Sequence, residues 1–87
     1  MKDEPAFLTL EQIDVIHREQ IKAWGDKVGL RDQNLLESAI AQPLNVYFYA
    51  DADLYEIAAA YAYHIAGSQA YLDANKRTGI QAALIFL

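Results

Sequence analysis

The stretch 53-DLYEIAAAYAYHIAGSQAYLDANKRTGIQAALIFL-87 decides the fold, because it contains two helical segments joined by one short polar turn. Asp53 followed three residues later by Glu56 is a capping pair that starts the first segment. Alanine has the highest helix propensity, and residues 57–66 are apolar on nearly every face. We therefore predict a central helix of a bundle, buried on all sides and ending near Gly67.

The second segment is predicted to be a helix from about Asn75 to Leu87. It is apolar up to its last residue, with no C-cap glycine, basic last turn or polar tail. A helix that finishes this way leaves carbonyl groups and apolar side chains without partners. We expect either a piece of a longer protein whose downstream helices are absent, which we favour, or a partner that covers this end.

Upstream, a first helix is predicted to begin at Thr9, which forms a capping pair with Gln12. Apolar residues then recur at helical spacing as far as Trp24, and Gly25 is expected to stop the helix. We expect Trp24 and the six tyrosines to pack in the core or at its rim rather than to form a base-stacking surface.

A second helix is predicted to start at Asp32 as its N-cap and to end at Pro43, because proline disfavours helix in the preceding residue. Residues 45–52 are then expected to form a loop, with 46-VYFY-49 as an alternative short extended piece. These consecutive aromatic residues are more typical of packing, although a place near a target-binding edge is the alternative.

The composition fits one all-α domain over residues 1–87, with three or four helices. With 54% hydrophobic residues the chain is too apolar for a disordered protein, and zero cysteines exclude disulfides and thiolate zinc sites. A net charge of -5 argues against direct nucleic-acid binding. No signal peptide or membrane span is visible, so we expect a cytoplasmic protein without membrane contact.

The segment 73-DANKRTG-79 carries the best candidate site. Free N–H groups at the start of the last helix suit a phosphate, and Lys76 and Arg77 add two adjacent cations. Asp73 is the nearby carboxylate for Mg²⁺, and Asn75 offers an amide donor. The simpler alternative is an N-cap followed by a solvated face. Two cations in a first turn oppose the helix dipole, however, which favours a functional site.

The residues 70-AYLDANKRT-78 resemble the signature of the death-on-curing (Doc) branch of the Fic superfamily, His-x-Phe-x-Asp-(Ala/Gly)-Asn-Lys-Arg-Thr. Three upstream segments follow the family's order: 16-IH-17, 29-GLRD-32 and 35-LLESA-39. The resemblance covers nearly the whole chain and implies the Fic-fold helical bundle.

Doc toxins of type II toxin–antitoxin systems transfer the terminal phosphate of ATP to a threonine of elongation factor Tu, and their Phd-type antitoxins bind as a helix. The resemblance implies ATP and Mg²⁺ as cofactors, with Asp73 holding the metal and Asn75, Lys76 and Arg77 gripping phosphates. Tyr71 would replace the family's phenylalanine as the loop anchor. Adenylylating Fic enzymes usually carry glycine at the position of Lys76, so the sequence favours phosphotransfer over transfer of AMP.

The chain departs from the family at Gln69, which stands where the motif histidine acts as general base. An amide does not accept a proton at neutral pH, so we expect an inactive or strongly impaired transferase. We interpret His64 and His17 as structural rather than as replacement bases. A catalytically silent module that binds an antitoxin or another protein is the alternative.

Overall fold

The computed structural model describes residues 4–24 and 29–87. Its elements are four helices: α1 (Leu10–Trp24), α2 (Gln33–Ala50), α3 (Leu54–Ser68) and α4 (Asn75–Phe86). Within this described part an isolated antiparallel bridge between Leu30 and Tyr71 is the only β pairing. The all-α prediction is therefore confirmed. Among the described helices, none combines the length and the hydropathy that a membrane span requires.

The first three helices begin at the caps that the sequence predicts. The Thr9 and Gln12 side chains exchange hydrogen bonds with each other's backbone N–H groups at 3.2 and 2.7 Å. Asp32 accepts hydrogen bonds from two N–H groups of the first turn of α2, and α3 starts with the Asp53–Glu56 capping box. Gly25, the expected end of α1, lies outside the described residues.

The prediction that α2 ends at Pro43 is wrong, and so are the loop and the extended piece predicted after it. The helix continues through Pro43 to Ala50 and closes at Asp51, whose φ of 51° is left-handed. Proline removes one helical hydrogen bond, but the ring of Pro43 is fully buried. Val46 and Tyr47, one turn further on, also pack against the core. Burial of this face offsets the lost bond.

α3 is the central helix, as predicted, because it packs against both α2 and α4. The expectation that it is buried on all sides is wrong. Ile57, Tyr61 and Ile65 are buried, whereas Tyr55 and Tyr63 are exposed. The alanines explain the error: they favour helix wherever they lie, and a small apolar side chain such as Ala59 tolerates water on the open face.

One core joins all four helices and the segment before α1. The Tyr61 hydroxyl, inside this core, accepts a hydrogen bond from the backbone N–H of Leu8 at 2.8 Å, which fixes the N-terminal segment. The buried cluster consists of Leu8, Ile13, Ile16, Leu36, Ala39, Ile57, Tyr61, Ile65, Ala70, Tyr71 and Ala82.

Close packing of α3 against α4 sets the position of the connecting loop. A Cβ atom built on Gly79 would lie 2.7 Å from the carbonyl oxygen of Ala62 and 3.0 Å from the backbone nitrogen of Ala66. Only a residue without a side chain lets the two backbones approach this closely. The start of α4 is therefore held directly beside the last turns of α3.

Candidate functional site

The loop of residues 69–74 joins α3 to α4 and has a residue in the left-handed backbone conformation at each end. Gln69, the C-cap of α3, has a φ of 55°, and Ala74, the N-cap of α4, has a φ of 63°. Positive φ at non-glycine residues is uncommon and persists only where the surroundings fix it. The loop thus has a defined shape set by its neighbours.

The N-terminus of α4 differs from those of the other helices because no side chain caps it within the described structure. Ala74 has no polar side chain, and the first regular helical bond runs from the Thr78 N–H to the Ala74 carbonyl at 2.9 Å. The N–H groups before it carry the positive end of the helix dipole. Such a terminus is suited to an anion.

These groups surround a surface cavity of about 370 Å³. The structure brings Gln69, Asp73, Lys76 and Arg77 together on its wall, as the sequence analysis expects of a shared site. The complete lining is Ala66, Gln69, Leu72, Asp73, Ala74, Asn75, Lys76 and Arg77.

Asp73 is the one carboxylate among the residues described as lining this cavity. Its Oδ1 accepts a hydrogen bond from the Ala74 N–H at 3.0 Å, which orients the group within the loop. The described residues contain no cluster of three acidic or histidine side chains that could hold a metal alone. A cation here would need oxygens from a ligand in addition to Asp73.

The Asn75 side chain closes the loop on itself. Its Oδ1 accepts from the Tyr71 N–H at 3.0 Å, and its Nδ2 donates to the Tyr71 carbonyl at 2.9 Å. Asn75 is buried, although it forms part of the cavity wall. The structure therefore gives this amide a loop-shaping contact that sequence reasoning missed. One Nδ2 hydrogen is used in this contact, so the predicted hydrogen bond to a phosphate would have to come from the second Nδ2 hydrogen.

Tyr71 does not line the cavity but points into the core behind the loop. Its ring stacks on the His17 imidazole, with centroids 3.6 Å apart and planes inclined by 9°. Its hydroxyl donates to the Asp14 carboxylate at 2.5 Å. Burial, followed by this carboxylate contact, raises the pKa of Tyr71, so the hydroxyl stays protonated and keeps donating.

His17 supports the loop from α1. It is buried, and its Nε2 lies 3.1 Å from the Asp73 carbonyl oxygen. Since a carbonyl accepts only, Nε2 must carry the proton that it donates. Burial lowers the pKa of His17, and the contacts with Asp73 and Asp14 oppose this shift without cancelling it. This geometry agrees with the structural interpretation of His17.

The segment before α2 also contacts the loop, through backbone hydrogen bonds. The Arg31 and Asp32 N–H groups donate to the Ala70 carbonyl at 2.6 and 3.0 Å, and the Leu72 N–H donates to the Gly29 carbonyl at 3.0 Å. Gly29 has a φ of 146°, and a Cβ there would lie 2.9 Å from the Leu72 side chain. Backbone hydrogen bonds from residues 29–32 therefore hold the loop in addition to the contacts from α1.

Trp24 lies at the edge of the site. It is 67% exposed, so the prediction that it packs in the core or at its rim is wrong, as it is for Tyr49, Tyr55 and Tyr63. The Arg77 guanidinium carbon lies 5.5 Å from the centre of the indole ring. The sequence pattern gave no signal for this pair, because helical periodicity places Trp24 on the apolar stripe of α1.

The other residues considered from the sequence lie elsewhere. His64 lines a separate cavity between α2 and α3 and contacts the Tyr63 ring edge to face. Tyr47 and Phe48 pack against Phe7, whereas Tyr49 is exposed. None of these residues belongs to the wall of the loop cavity.

Comparison with known proteins gives concordant matches. A family model described as the Fic/DOC family matches residues 7–87. The chain is 32% identical over 78 residues to the "Protein kinase doc" of Escherichia phage P1, covering 88% of this chain and 62% of that protein. It is 38% identical over 80 residues to the "Toxin Doc" of Mycolicibacterium smegmatis, covering 90% and 61%. The chain thus spans about three-fifths of the length of these relatives.

Proposed function

Because the chain belongs to the Fic/DOC family, we propose that it is a Doc-like toxin of a toxin–antitoxin system. Its cavity binds Mg-ATP for transfer of the terminal phosphate to a hydroxyl of a cytoplasmic protein, with elongation factor Tu as the expected target. Gln69 leaves this transfer strongly impaired. The observation that carries the proposal is the cavity that gathers Gln69, Asp73, Lys76 and Arg77 at the uncapped start of α4.

Phosphate binding rests on three kinds of donor in one place. The N–H groups of the first turn of α4 provide the positive end of a helix. Lys76 is exposed and supplies a mobile point charge, while Arg77 supplies a planar guanidinium that can hold two oxygens at once. In a chain with net charge -5, this local concentration of positive charge favours a polyphosphate.

The donor set also fits a magnesium ion that arrives with a nucleotide. Mg²⁺ bound with nucleotides typically takes one or two protein carboxylates and completes its shell with phosphate oxygens and water. Asp73 supplies one carboxylate, which the Ala74 N–H orients. When bound, the ion neutralises charge on the phosphate oxygens.

Phosphotransfer needs a base that this chain lacks at Gln69. In the proposed reaction a target hydroxyl oxygen forms a bond to the terminal phosphorus, the bond from that phosphorus to the bridging oxygen breaks, and ADP leaves. The hydroxyl proton must go to an acceptor, and a neutral amide does not take it. Loss of a positioned general base typically costs about 10²–10⁴-fold in rate. Gln69 can still hydrogen-bond the hydroxyl or a phosphate oxygen.

The second candidate function is a silent binding module for a Phd-type antitoxin or another protein. It is favoured by Gln69 and by the apolar face of α4, where Ile80, Leu84 and Ile85 are each at least half exposed. An amphipathic partner helix requires such a surface. AMP transfer is a further alternative, which Lys76 disfavours because adenylylating relatives usually carry glycine there.

A thermal-shift titration with Mg-ATP separates the two candidates. A ligand at about 100 times its Kd stabilises the folded protein by roughly 2.7 kcal/mol, so we expect a clear rise in the unfolding midpoint. The Asp73→Asn variant serves as the control, since it keeps the shape of the side chain but weakens metal binding. No response of the wild-type protein would favour the binding module.

The activity test is Gln69→His in an assay of labelled ATP transfer onto a cell extract. We expect transfer to rise by about 10²–10⁴-fold, the usual contribution of a general base. Histidine tolerates the left-handed backbone at this position, so the loop should keep its shape. Gln69→Asn is the matched control, because asparagine also tolerates this backbone but supplies no base. If the histidine variant is as inactive as the asparagine variant with Mg-ATP bound, the proposed reaction is wrong.

A further inference from the structure

We propose that Trp24 is a positioning residue of the phosphate site, whose indole ring holds the Arg77 guanidinium in place for the ligand. This inference rests on the proposed function, since it concerns how the same cavity binds a polyphosphate. It joins the end of α1 to the first turn of α4, two elements separated by 50 residues in the sequence.

The geometry fits a cation–π contact. The guanidinium carbon lies 5.5 Å from the centre of the ring, within the reach of about 6 Å over which an aromatic face attracts a cation. Tryptophan is the best aromatic partner for such a contact. Arg77 in turn lines the cavity, so one side chain touches both the ring and the proposed ligand site.

The contact between Trp24 and Arg77 offsets an unfavourable electrostatic interaction at the start of α4. A cation in the first turn is unfavourably placed with respect to the helix dipole. The negative face of the indole ring offsets part of that cost and limits the rotamers of a flexible side chain. A guanidinium that is already oriented loses less conformational entropy when it binds phosphate.

Exposure supports a role for Trp24 outside the core. The side chain is 67% exposed, whereas Ile13, Ile16 and Ile21 of the same helix are buried. The open ring also admits a second interpretation, in which the base of a nucleotide stacks on Trp24. The two interpretations predict different effects on affinity. If Trp24 orients Arg77, it raises the affinity for every polyphosphate, whereas if it stacks on a base, it raises the affinity only for ligands that carry a base.

The test is calorimetric titration of the protein with Mg-tripolyphosphate and with Mg-ATP. For Trp24→Ala we expect a loss of affinity of about three- to tenfold with both probes, the range that a partly exposed cation–π contact supports. Trp24→Phe should recover part of the loss, because a smaller ring still offers a π face. Tyr63→Ala, which removes another exposed aromatic residue outside the cavity, should leave both affinities unchanged.

A spectroscopic readout comes from the composition, since Trp24 is the only tryptophan. Binding of Mg-tripolyphosphate should change its emission in the wild-type protein, and Arg77→Ala should shift the emission before any ligand is added. The unfolding midpoint of each variant without ligand is measured as well, so that a loss of fold stability is distinguished from a loss of ligand affinity.

The outcomes distinguish the two proposals. Binding to the wild-type protein with no change in Trp24→Ala overturns the positioning role and leaves the proposed function standing. A loss confined to Mg-ATP overturns it in favour of base stacking. If neither probe binds the wild-type protein, the proposed function fails and the positioning role fails with it.

Discussion

The N-termini of α3 and α4 lie in the same small bundle and are built in opposite ways. α3 begins with Asp53 in a complete capping box, with the acidic Glu56 in its first turn. α4 begins with Ala74 in a left-handed conformation, without a side-chain cap in the described structure, and places Lys76 and Arg77 in its first turn. The first arrangement complements the helix dipole, and the second opposes it.

The start of α3 contributes to the stability of the fold, whereas the start of α4 leaves donors available to a ligand. A capping box satisfies two of the free N–H groups of the helix start internally, so fewer remain for a ligand. An uncapped start keeps these groups available, and its cations make the site attractive to an anion. The loop before α4 is therefore stabilised from behind, by His17, Tyr71 and Asn75, rather than by a cap at its front.

The largest expected effect comes from Arg77→Ala at the start of α4. At a Mg-ATP concentration that gives the wild-type protein about 2.7 kcal/mol of ligand stabilisation, this variant should lose most of it, because the bidentate phosphate donor is gone. Thermal shifts with and without Mg-ATP measure the effect. Arg18→Ala removes an exposed cation from α1 outside the cavity wall and should keep the full response. Equal losses in both variants would mean that net charge, rather than this site, controls binding.

The next effect concerns how α3 holds the start of α4. Gly79→Ala places a methyl group 2.7 Å from the Ala62 carbonyl, and we expect a loss of about 1–3 kcal/mol in the free energy of unfolding. Gly67→Ala is the matched control, since a Cβ at that helical position meets no atom within 4 Å. It should gain about 0.5–1 kcal/mol from the higher helix propensity of alanine. Denaturant unfolding measures both, and a stable Gly79→Ala protein would contradict the close approach.

At the start of α3 the expected effect is smaller and confined to stability. Asp53→Ala removes the side chain that accepts the Glu56 N–H at 2.8 Å, and the loss should be about 1 kcal/mol in the free energy of unfolding. The thermal shift induced by Mg-ATP should stay the same, because α3 begins away from the cavity wall. Asp53→Asn, which retains a capping oxygen, should lose much less. A reduced response to Mg-ATP in Asp53→Ala would break the contrast between the two helix starts.

The sequence predicts those features that depend on neighbours along the chain. The caps at Thr9, Asp32 and Asp53 are each recognisable within four residues, and the structure contains all three. The cavity residues are also close in sequence, between Ala66 and Arg77, so one loop with its two flanking helix ends was enough to bring them together.

Features that depend on distant contacts escaped the sequence analysis. Helix α2 passes through Pro43 because the ring is buried against the core, which a local rule for proline does not contain. The Asp14–Tyr71 hydrogen bond joins residues 57 positions apart, and nothing in the pattern of α1 marks Asp14 as its partner. The Trp24–Arg77 contact is missed for the same reason.

The smallest expected effect is the pH dependence of stability that His17, the buried residue behind the loop, contributes. Burial lowers the pKa of His17 below its ordinary value of 6.5, so the folded protein resists protonation more than the unfolded chain does. Below about pH 6.5 the unfolded chain binds more protons at this site, and stability falls as the pH is lowered. The stabilisation is complete above this pH, and the expected loss is less than about 1 kcal/mol at pH 6.

Denaturant unfolding of the wild-type protein and of His17→Gln between about pH 7.5 and pH 6 isolates this contribution. Glutamine keeps an N–H donor for the Asp73 carbonyl but does not titrate, so the variant should lose the pH dependence, at a lower overall stability because the stacking on Tyr71 is lost. A slope that survives in His17→Gln would show that the loop before α4 does not depend on a neutral imidazole. The comparison between the two helix starts would then be wrong in one part, because buried His17 would not be what stabilises the loop before the uncapped α4.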